Sequence, residues 1–176
     1  MRIHLSESKG LERLQDLKDE YAALIRDGYE FRAKSCATCE TKGACCLDTH
    51  FVNVHITRLE AEAIRRVLLR LPQEKQMEVL DRIDAAIEKY GLDQAGDPFA
   101  KTFACPLFEP SVGCLVHERG KPLPCISHAC YENKEDLPPD ELQSAREQEV
   151  ESLNHAVYGD VNWLPLPVSI GKRHER

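Results

Sequence analysis

All eight cysteines of this chain fall into two groups of four. Thiolates bind zinc, iron–sulfur clusters and copper(I), whereas isolated buried cysteines behave as small hydrophobic residues and would not gather into two motif-like groups. We therefore predict a metal site or cluster site for which every cysteine is a candidate ligand. The first group is Cys36, Cys39, Cys45 and Cys46, and the second is Cys105, Cys114, Cys125 and Cys130.

The first group joins a tight chelating turn to an adjacent pair of cysteines. Two residues separate Cys36 from Cys39, a spacing that lets two sulfurs bind one centre in zinc sites and iron–sulfur sites alike. The side chains of Cys45 and Cys46 are neighbours in sequence and point in different directions in most backbone conformations, so we expect divided roles: one binds, and the other braces the site or joins a second centre. A reactive thiol at this pair is the weaker alternative, because no histidine or lysine stands at a diagnostic spacing.

The second group is spread over loops. Proline and glycine are frequent between residues 103 and 125 and disfavour long helices, so short segments are expected to fold around a site. Cys105 precedes Pro106, a step common at cluster ligands. His117 and His128 lie close enough in sequence to replace a sulfur or to donate a hydrogen bond to one, and we favour a role other than ligand for both.

Taken together, these residues resemble the YkgJ-like cysteine-cluster family, a zinc- or iron-chelating domain with a CxxCxxCC motif. The resemblance covers residues 36–130, and it departs from the family pattern in the five residues that separate Cys39 from Cys45. It implies a bound metal or iron–sulfur centre. The segments that carry it are Cys36-Ala37-Thr38-Cys39, Cys45-Cys46, the helix start at Thr57 and Glu60, Cys105-Pro106-Leu107, Gly113-Cys114, and Pro124-Cys125 with Cys130.

Of the metals that thiolates bind, we favour iron in an iron–sulfur cluster such as 4Fe-4S. The reasons are the Cys105-Pro106 step, the apolar setting that Phe103, Leu107 and Phe108 provide, and the analogy with larger relatives, the flagellin lysine methylases, whose reaction we do not transfer to this shorter chain. The corresponding function is electron transfer or redox sensing. The alternative is a structural zinc module that mediates a protein interaction, in which four thiolates close the coordination shell. Whether the protein is an enzyme stays open, because no acid/base pair or phosphate loop stands out.

Composition narrows the class of protein. A length of 176 residues suits one domain, 1–176, and a net charge of -7 weighs against a nucleic-acid partner. The sequence shows no secretory signal and no apolar stretch of the roughly 20 residues that a membrane helix needs. We expect a cytoplasmic protein with no membrane partner, whose cysteines bind metal because disulfides are rare in a reducing compartment. Its partner would be an unidentified protein or redox partner.

Apolar periodicity predicts a mainly α fold, with an αα-hairpin and short irregular or β segments around the cysteine site. A capping box at Thr57 and Glu60 opens the hairpin, and Gly91 ends it. A last acidic helix runs to about Tyr158, and the apolar end, 163–168, folds back over the core without regular structure. Residues 51–56 alternate as a short strand that places His55 on its polar face. The first helix ends near Gly28 and buries a stripe formed by Leu11, Leu14, Leu17, Tyr21 and Leu24.

Overall fold

Helices dominate the fold, as the sequence predicts. A computed structural model of the chain describes residues 4–35, 40, 43–47 and 53–171. Of these residues 59% are helical, which confirms a small, mainly α fold. The helices are α1 (Glu7–Gly28), α2 (Arg58–Leu68), α3 (Gln73–Tyr90), α4 (Leu123–Ser127), α5 (Asp140–Tyr158) and α6 (Leu166–Gly171).

The strands are short and pair in twos. Each has two residues, and each pair is antiparallel: β1 with β5, β2 with β6, and β3 with β4. Two of the pairs join segments far apart in sequence, and the third, β3 with β4, is a local hairpin. A sheet of this size buries little by itself. The strands are β1 (Ala33–Lys34), β2 (His55–Ile56), β3 (Phe108–Glu109), β4 (Gly113–Cys114), β5 (Cys130–Tyr131) and β6 (Leu164–Pro165).

The residues pack as two compact units. The first consists of Met1–Lys42 and Lys121–Val161, and the second of Gly43–Gly120 and Asn162–Arg176. The extent of the cysteine-cluster domain, 1–176, stays a prediction. No helix in the part of the chain that the structure describes has both the length and the apolar character needed to cross a membrane.

In the first unit, α1 packs against α4 and α5. The helix begins where the Ser6 hydroxyl accepts a hydrogen bond from the backbone N–H of Lys9, and it ends at Gly28 as predicted. Its buried stripe continues to Ile25, whereas Leu24 is 37% exposed, so the predicted stripe is wrong at that position. The reason is the 3.6-residue repeat, which places Ile25 under Tyr21 and turns Leu24 away from that line.

The last acidic helix is confirmed as α5, and its last turn is hydrogen-bonded to residues near the start of α1. The Tyr158 hydroxyl donates a hydrogen bond to the Glu7 carboxylate at 2.7 Å. The backbone N–H of Leu5 donates to the carbonyl of Ala156 at 2.9 Å. These two bonds join the last turn of α5 to residues at the start of α1.

The second unit contains the predicted pair of helices. Residues 69–72 connect α2 to α3, with Pro72 at the N-cap of α3 and Gly91 in the left-handed conformation at its C-cap. Both helices pack on α6. The core of this unit is built from Ile56, Ala61, Ile64, Leu68, Val79, Ile83, Leu92, Phe103, Leu107, Val116, Leu166, Val168 and Ile170.

The apolar end of the chain folds back over this core as predicted, but it is regular. Segment β6 pairs with β2, and α6 buries Leu166, Val168 and Ile170. Arg65 of α2 holds the end of α6, since its Nη1 group donates to the carbonyls of Ser169 at 2.9 Å and Ile170 at 3.3 Å. A six-residue helix is too short to be stable alone, so it depends on these contacts.

The capping box at the start of α2 is confirmed in both directions. The Thr57 hydroxyl accepts the N–H of Glu60 at 3.2 Å, and the Glu60 carboxylate accepts the N–H of Thr57 at 3.2 Å. Glu60 is fully buried. The Thr57 hydroxyl also donates to the Glu60 carboxylate at 3.3 Å, so this buried group depends on hydrogen bonds from Thr57.

Replacing Thr57 by alanine is expected to lower the free energy of unfolding by about 1–2 kcal/mol, because the first turn of α2 loses its cap and Glu60 loses a partner. Urea denaturation measures the loss. Thr57→Ser keeps the hydroxyl and should cost much less; equal losses for the two variants would show that the methyl group, and not the cap, matters.

The expected strand over residues 51–56 is reduced to β2, with residues 51 and 52 outside the described part. The prediction that His55 lies on a polar face is wrong, since the side chain is only 5% exposed. The ring of Phe99 stacks on the imidazole with centroids 4.0 Å apart and 18° between planes, and Nδ1 lies 3.3 Å from the Asn53 carbonyl. An aromatic side chain from a distant turn has covered the predicted polar face.

Burial lowers the pKa of His55, although the hydrogen bond to the Asn53 carbonyl and the charge of Asp97 act in the other direction. The unfolded chain therefore takes up the proton first as pH falls below about 6.5. We expect the free energy of unfolding to decrease from about pH 7 downward, and the decrease to be smaller in His55→Phe. Thermal melts of both proteins at several pH values measure this, and equal slopes would contradict it.

Candidate metal centre

The adjacent pair of cysteines is held next to Cys105 by the backbone. The N–H of Cys105 donates to the carbonyl of Cys46 at 2.8 Å, and the N–H of Cys46 donates to the carbonyl of Gly43 at 2.8 Å. Gly43 adopts a left-handed conformation, with φ of 80°, and a single 3-10 turn, Ala44–Cys46, follows it. Segments about 60 residues apart in sequence thus meet at a direct main-chain bond.

A two-stranded hairpin brings Cys114 to the same place. In the pairing of β3 with β4, Phe108 lies opposite Cys114. The N–H of Leu115 donates to the carbonyl of Leu107 at 3.0 Å, and the N–H of Phe108 donates to the carbonyl of Cys105 at 3.1 Å. The turn after Cys105 and the hairpin therefore place Cys105 and Cys114 at one end of the same small structure.

The surroundings of the Cys105 sulfur both raise and lower its pKa. Burial raises the pKa of the Cys105 thiol to about 11, and the neighbouring Cys114 adds to the rise. Hydrogen bonds from the backbone N–H groups of Leu107 and Phe108, together with the positive charge of Arg82, act in the other direction. N–H groups directed at a sulfur favour its thiolate form, which is the form that binds metal.

The thiols of Cys45, Cys105 and Cys114 lie close enough to Cys46 to affect its pKa. Its hydrogen bond with the Cys45 thiol raises its pKa most, followed by burial and by the charges of Cys105, Cys45 and Cys114. Cys45 is exposed, whereas Cys46, Cys105 and Cys114 are half-buried. At neutral pH the Cys46 and Cys105 groups are therefore protonated thiols in a cluster that is open on the Cys45 side.

This cluster has the donor chemistry of a thiolate metal centre. Four sulfurs suit zinc, an iron–sulfur cluster or copper(I). Within the described residues, no three histidine, cysteine or acidic side chains are arranged as a coordination shell. Binding would require the thiols to lose their protons and the Cys45–Cys46 hydrogen bond to break, which makes metal uptake a proton-releasing step.

Two of the other predicted ligands, Cys125 and Cys130, belong to the first unit. Cys125 lies in α4, where its N–H donates to the carbonyl of Pro122 at 3.0 Å. Cys130 lies in β5 opposite Lys34 of β1. Cys36 and Cys39 lie outside the described residues. None of the six described cysteines forms a disulfide with another.

The two candidate histidines are exposed. The backbone N–H of His117 donates to the carbonyl of Cys114 at 3.1 Å, which places the residue beside the cluster without directing the imidazole to it. His128 follows α4 in the first unit. Their role as ligands stays a prediction.

Arg82 is a site residue that the cysteine spacing did not indicate. It lies on α3, and its Nε group donates to the carbonyl of Pro106 at 3.0 Å. The only sequence signal is a cation next to the apolar position Ile83, and surface positions of many helices share that feature. The packing of α3 against the loop after Cys105 is what gives Arg82 a role.

Three comparisons, with protein-family models, with curated proteins and with solved structures, each found no match to this chain.

Proposed function

We propose that this protein binds a metal centre through cysteine thiolates, with an iron–sulfur cluster as the favoured group and electron transfer or redox sensing as its use. The observation that carries the proposal is the convergence of Cys45, Cys46, Cys105 and Cys114 in the second unit, where the sulfurs influence one another's pKa. An iron–sulfur cluster would supply one-electron transfer. The resemblance to the YkgJ-like family supports the same class of centre.

The surroundings of the four sulfurs support a cluster. Phe103 and Leu107 are buried in the core beside Cys105, and backbone N–H groups are directed at its sulfur. Hydrogen bonds to sulfur and restricted access of solvent are the means by which proteins adjust the potential of iron–sulfur clusters. The exposed Cys45 leaves one side of the centre open to a redox partner in the cytoplasm, where we place the protein.

The alternative is structural zinc. Four thiolates from two loops make the closed tetrahedral shell typical of structural zinc sites, and the very short strands β3 and β4 would gain order from such a bond. In that case the protein would present its acidic helices to a protein partner. The same four sulfurs serve either metal, so composition of the bound centre decides between them.

The deciding experiment is purification without oxygen followed by elemental analysis. A cluster protein should be brown and contain iron and acid-labile sulfide. A colourless protein with stoichiometric zinc and no sulfide would overturn the cluster and favour the structural module. A protein that binds neither, even after reconstitution with iron and sulfide or with zinc, would overturn the metal-binding function.

Cys125→Ser tests the prediction from the sequence that all eight cysteines are ligands, namely Cys36, Cys39, Cys45, Cys46, Cys105, Cys114, Cys125 and Cys130. We expect the metal content of this variant to fall. Unchanged metal content and unchanged folding would restrict the centre to the four cysteines of the second unit.

A further inference from the structure

Arg82 is fixed beside the cysteine cluster by a bond to the backbone. Its Nε group donates to the carbonyl of Pro106 at 3.0 Å, and Pro106 directly follows Cys105. Because the guanidinium is planar and rigid, this one bond sets the direction of both terminal nitrogens.

The terminal nitrogens of Arg82 are incompletely used. Nη1 lies 4.0 Å from the Glu109 carboxylate, too far for a hydrogen bond. Nη2 is buried and has no hydrogen-bond partner in the described part of the chain. Lys75 engages only Oε1 of Glu109, with Nζ at 3.0 Å, and the buried Oε2 of Glu109 has no hydrogen-bond partner among the described residues either. A buried cationic N–H without an acceptor is unfavourable and calls for an explanation.

A metal-bound sulfur would be a suitable acceptor for Nη2 of Arg82. Four thiolates on one divalent ion leave a net negative charge, which a half-buried site does not tolerate without a nearby cation. Arginine suits this task because it keeps its charge when buried and offers several donors. The other described cation at this hairpin, Lys75, is held by Glu78 at 2.6 Å and by Glu109.

We propose that Arg82 is a positioning residue of the thiolate centre, whose Nη2 group donates a hydrogen bond to a metal-bound sulfur and whose charge offsets that of the thiolates. This inference rests on the proposed function and adds the residue that stabilises the charged form of the centre. It applies to zinc and to an iron–sulfur cluster, since both are bound by thiolates.

The test compares Arg82→Met, Arg82→Lys and Lys75→Met with the unaltered protein. Affinity for Zn²⁺ is measured by competition with a chromophoric chelator. Arg82→Met should bind about 10- to 100-fold more weakly, the usual effect of removing a partner of a metal ligand. Arg82→Lys keeps the charge and should recover part of the loss. Lys75→Met removes the other cation that contacts Glu109 and should bind as tightly as the unaltered protein.

A second readout separates the proposed role from a loss of folding. With Co²⁺ bound, the thiolate-to-metal charge-transfer band should shift in Arg82→Met and not in Lys75→Met, since only the former removes a donor to sulfur. Equal affinity and an equal band in Arg82→Met, or an equal loss in Lys75→Met, would overturn the inference while leaving metal binding intact. Failure of the unaltered protein to bind Zn²⁺ or Co²⁺ would instead overturn the proposed function.

Discussion

Cys105→Ser is expected to abolish tight metal binding. A serine hydroxyl stays protonated at neutral pH and is a poor ligand for soft metals, so the centre would lose a donor. The affinity for Zn²⁺ should fall by at least roughly 100-fold, which is the largest loss usual when a residue that hydrogen-bonds a metal ligand is replaced. Metal content after purification and a Co²⁺ titration measure it.

The main chain and the sulfur of Cys105 have separate roles, since the former bonds to Cys46 and the latter is the candidate ligand. The N–H that bonds the Cys46 carbonyl is unchanged by the substitution, so the loop should keep its course. Ala104→Ser places the same hydroxyl one residue away and serves as the matched control, with metal binding expected to be normal. A Cys105→Ser protein with full metal content and an unaltered cobalt spectrum would remove Cys105 from the centre.

The exposure of Cys45 connects the metal question to function. A closed zinc shell needs all four sulfurs and gains nothing from access to solvent. A redox centre benefits from one open side, because its partner must approach. Cys45 is exposed while Cys46, Cys105 and Cys114 are half-buried, an asymmetry that agrees better with the redox proposal.

Local signals in the sequence predicted local structure correctly. The capping box of Thr57 and Glu60, the glycine at position 91 and the ends of α1 and α5 depend on residues within one or two helical turns. The cap of each of these segments is formed by residues close in sequence, although the carbonyl of Ala156 in α5 also accepts the N–H of Leu5. The local sequence was therefore sufficient to predict these helix ends.

Distant packing decided the features that the sequence did not predict. Phe99 stacks on the buried His55, and Arg65 binds the Ser169 and Ile170 carbonyls of α6. The cysteine pattern predicts two groups that meet at one site, but not which cysteines of each group lie together. The bond from Cys105 to Cys46 joins part of each group in the second unit, and no spacing rule contains that information.

Gly43→Ala is expected to disrupt both the fold and the centre. Gly43 has φ of 80°, and a Cβ atom there would lie 2.0 Å from Cζ of Phe108. The left-handed conformation costs a non-glycine residue about 1–2 kcal/mol, and overpacking adds about 1–3 kcal/mol. We expect the free energy of unfolding to fall by about 2–5 kcal/mol in urea denaturation. Metal affinity should fall with it, because the turn that positions Cys45 and Cys46 starts at this residue.

Gly91→Ala is the matched control for the backbone term. Gly91 is also left-handed, with φ of 58°, but the atoms nearest its added Cβ belong to the flexible side chain of Gln94. It should cost only about 1–2 kcal/mol and leave metal binding unchanged. Phe108→Ala combined with Gly43→Ala then isolates the steric term, because removing the ring removes the clash. The double variant should lose less stability than the sum of the single variants; additive losses would mean that the ring and the turn do not constrain each other, and that the cysteine pair is positioned by its bond to Cys105 alone.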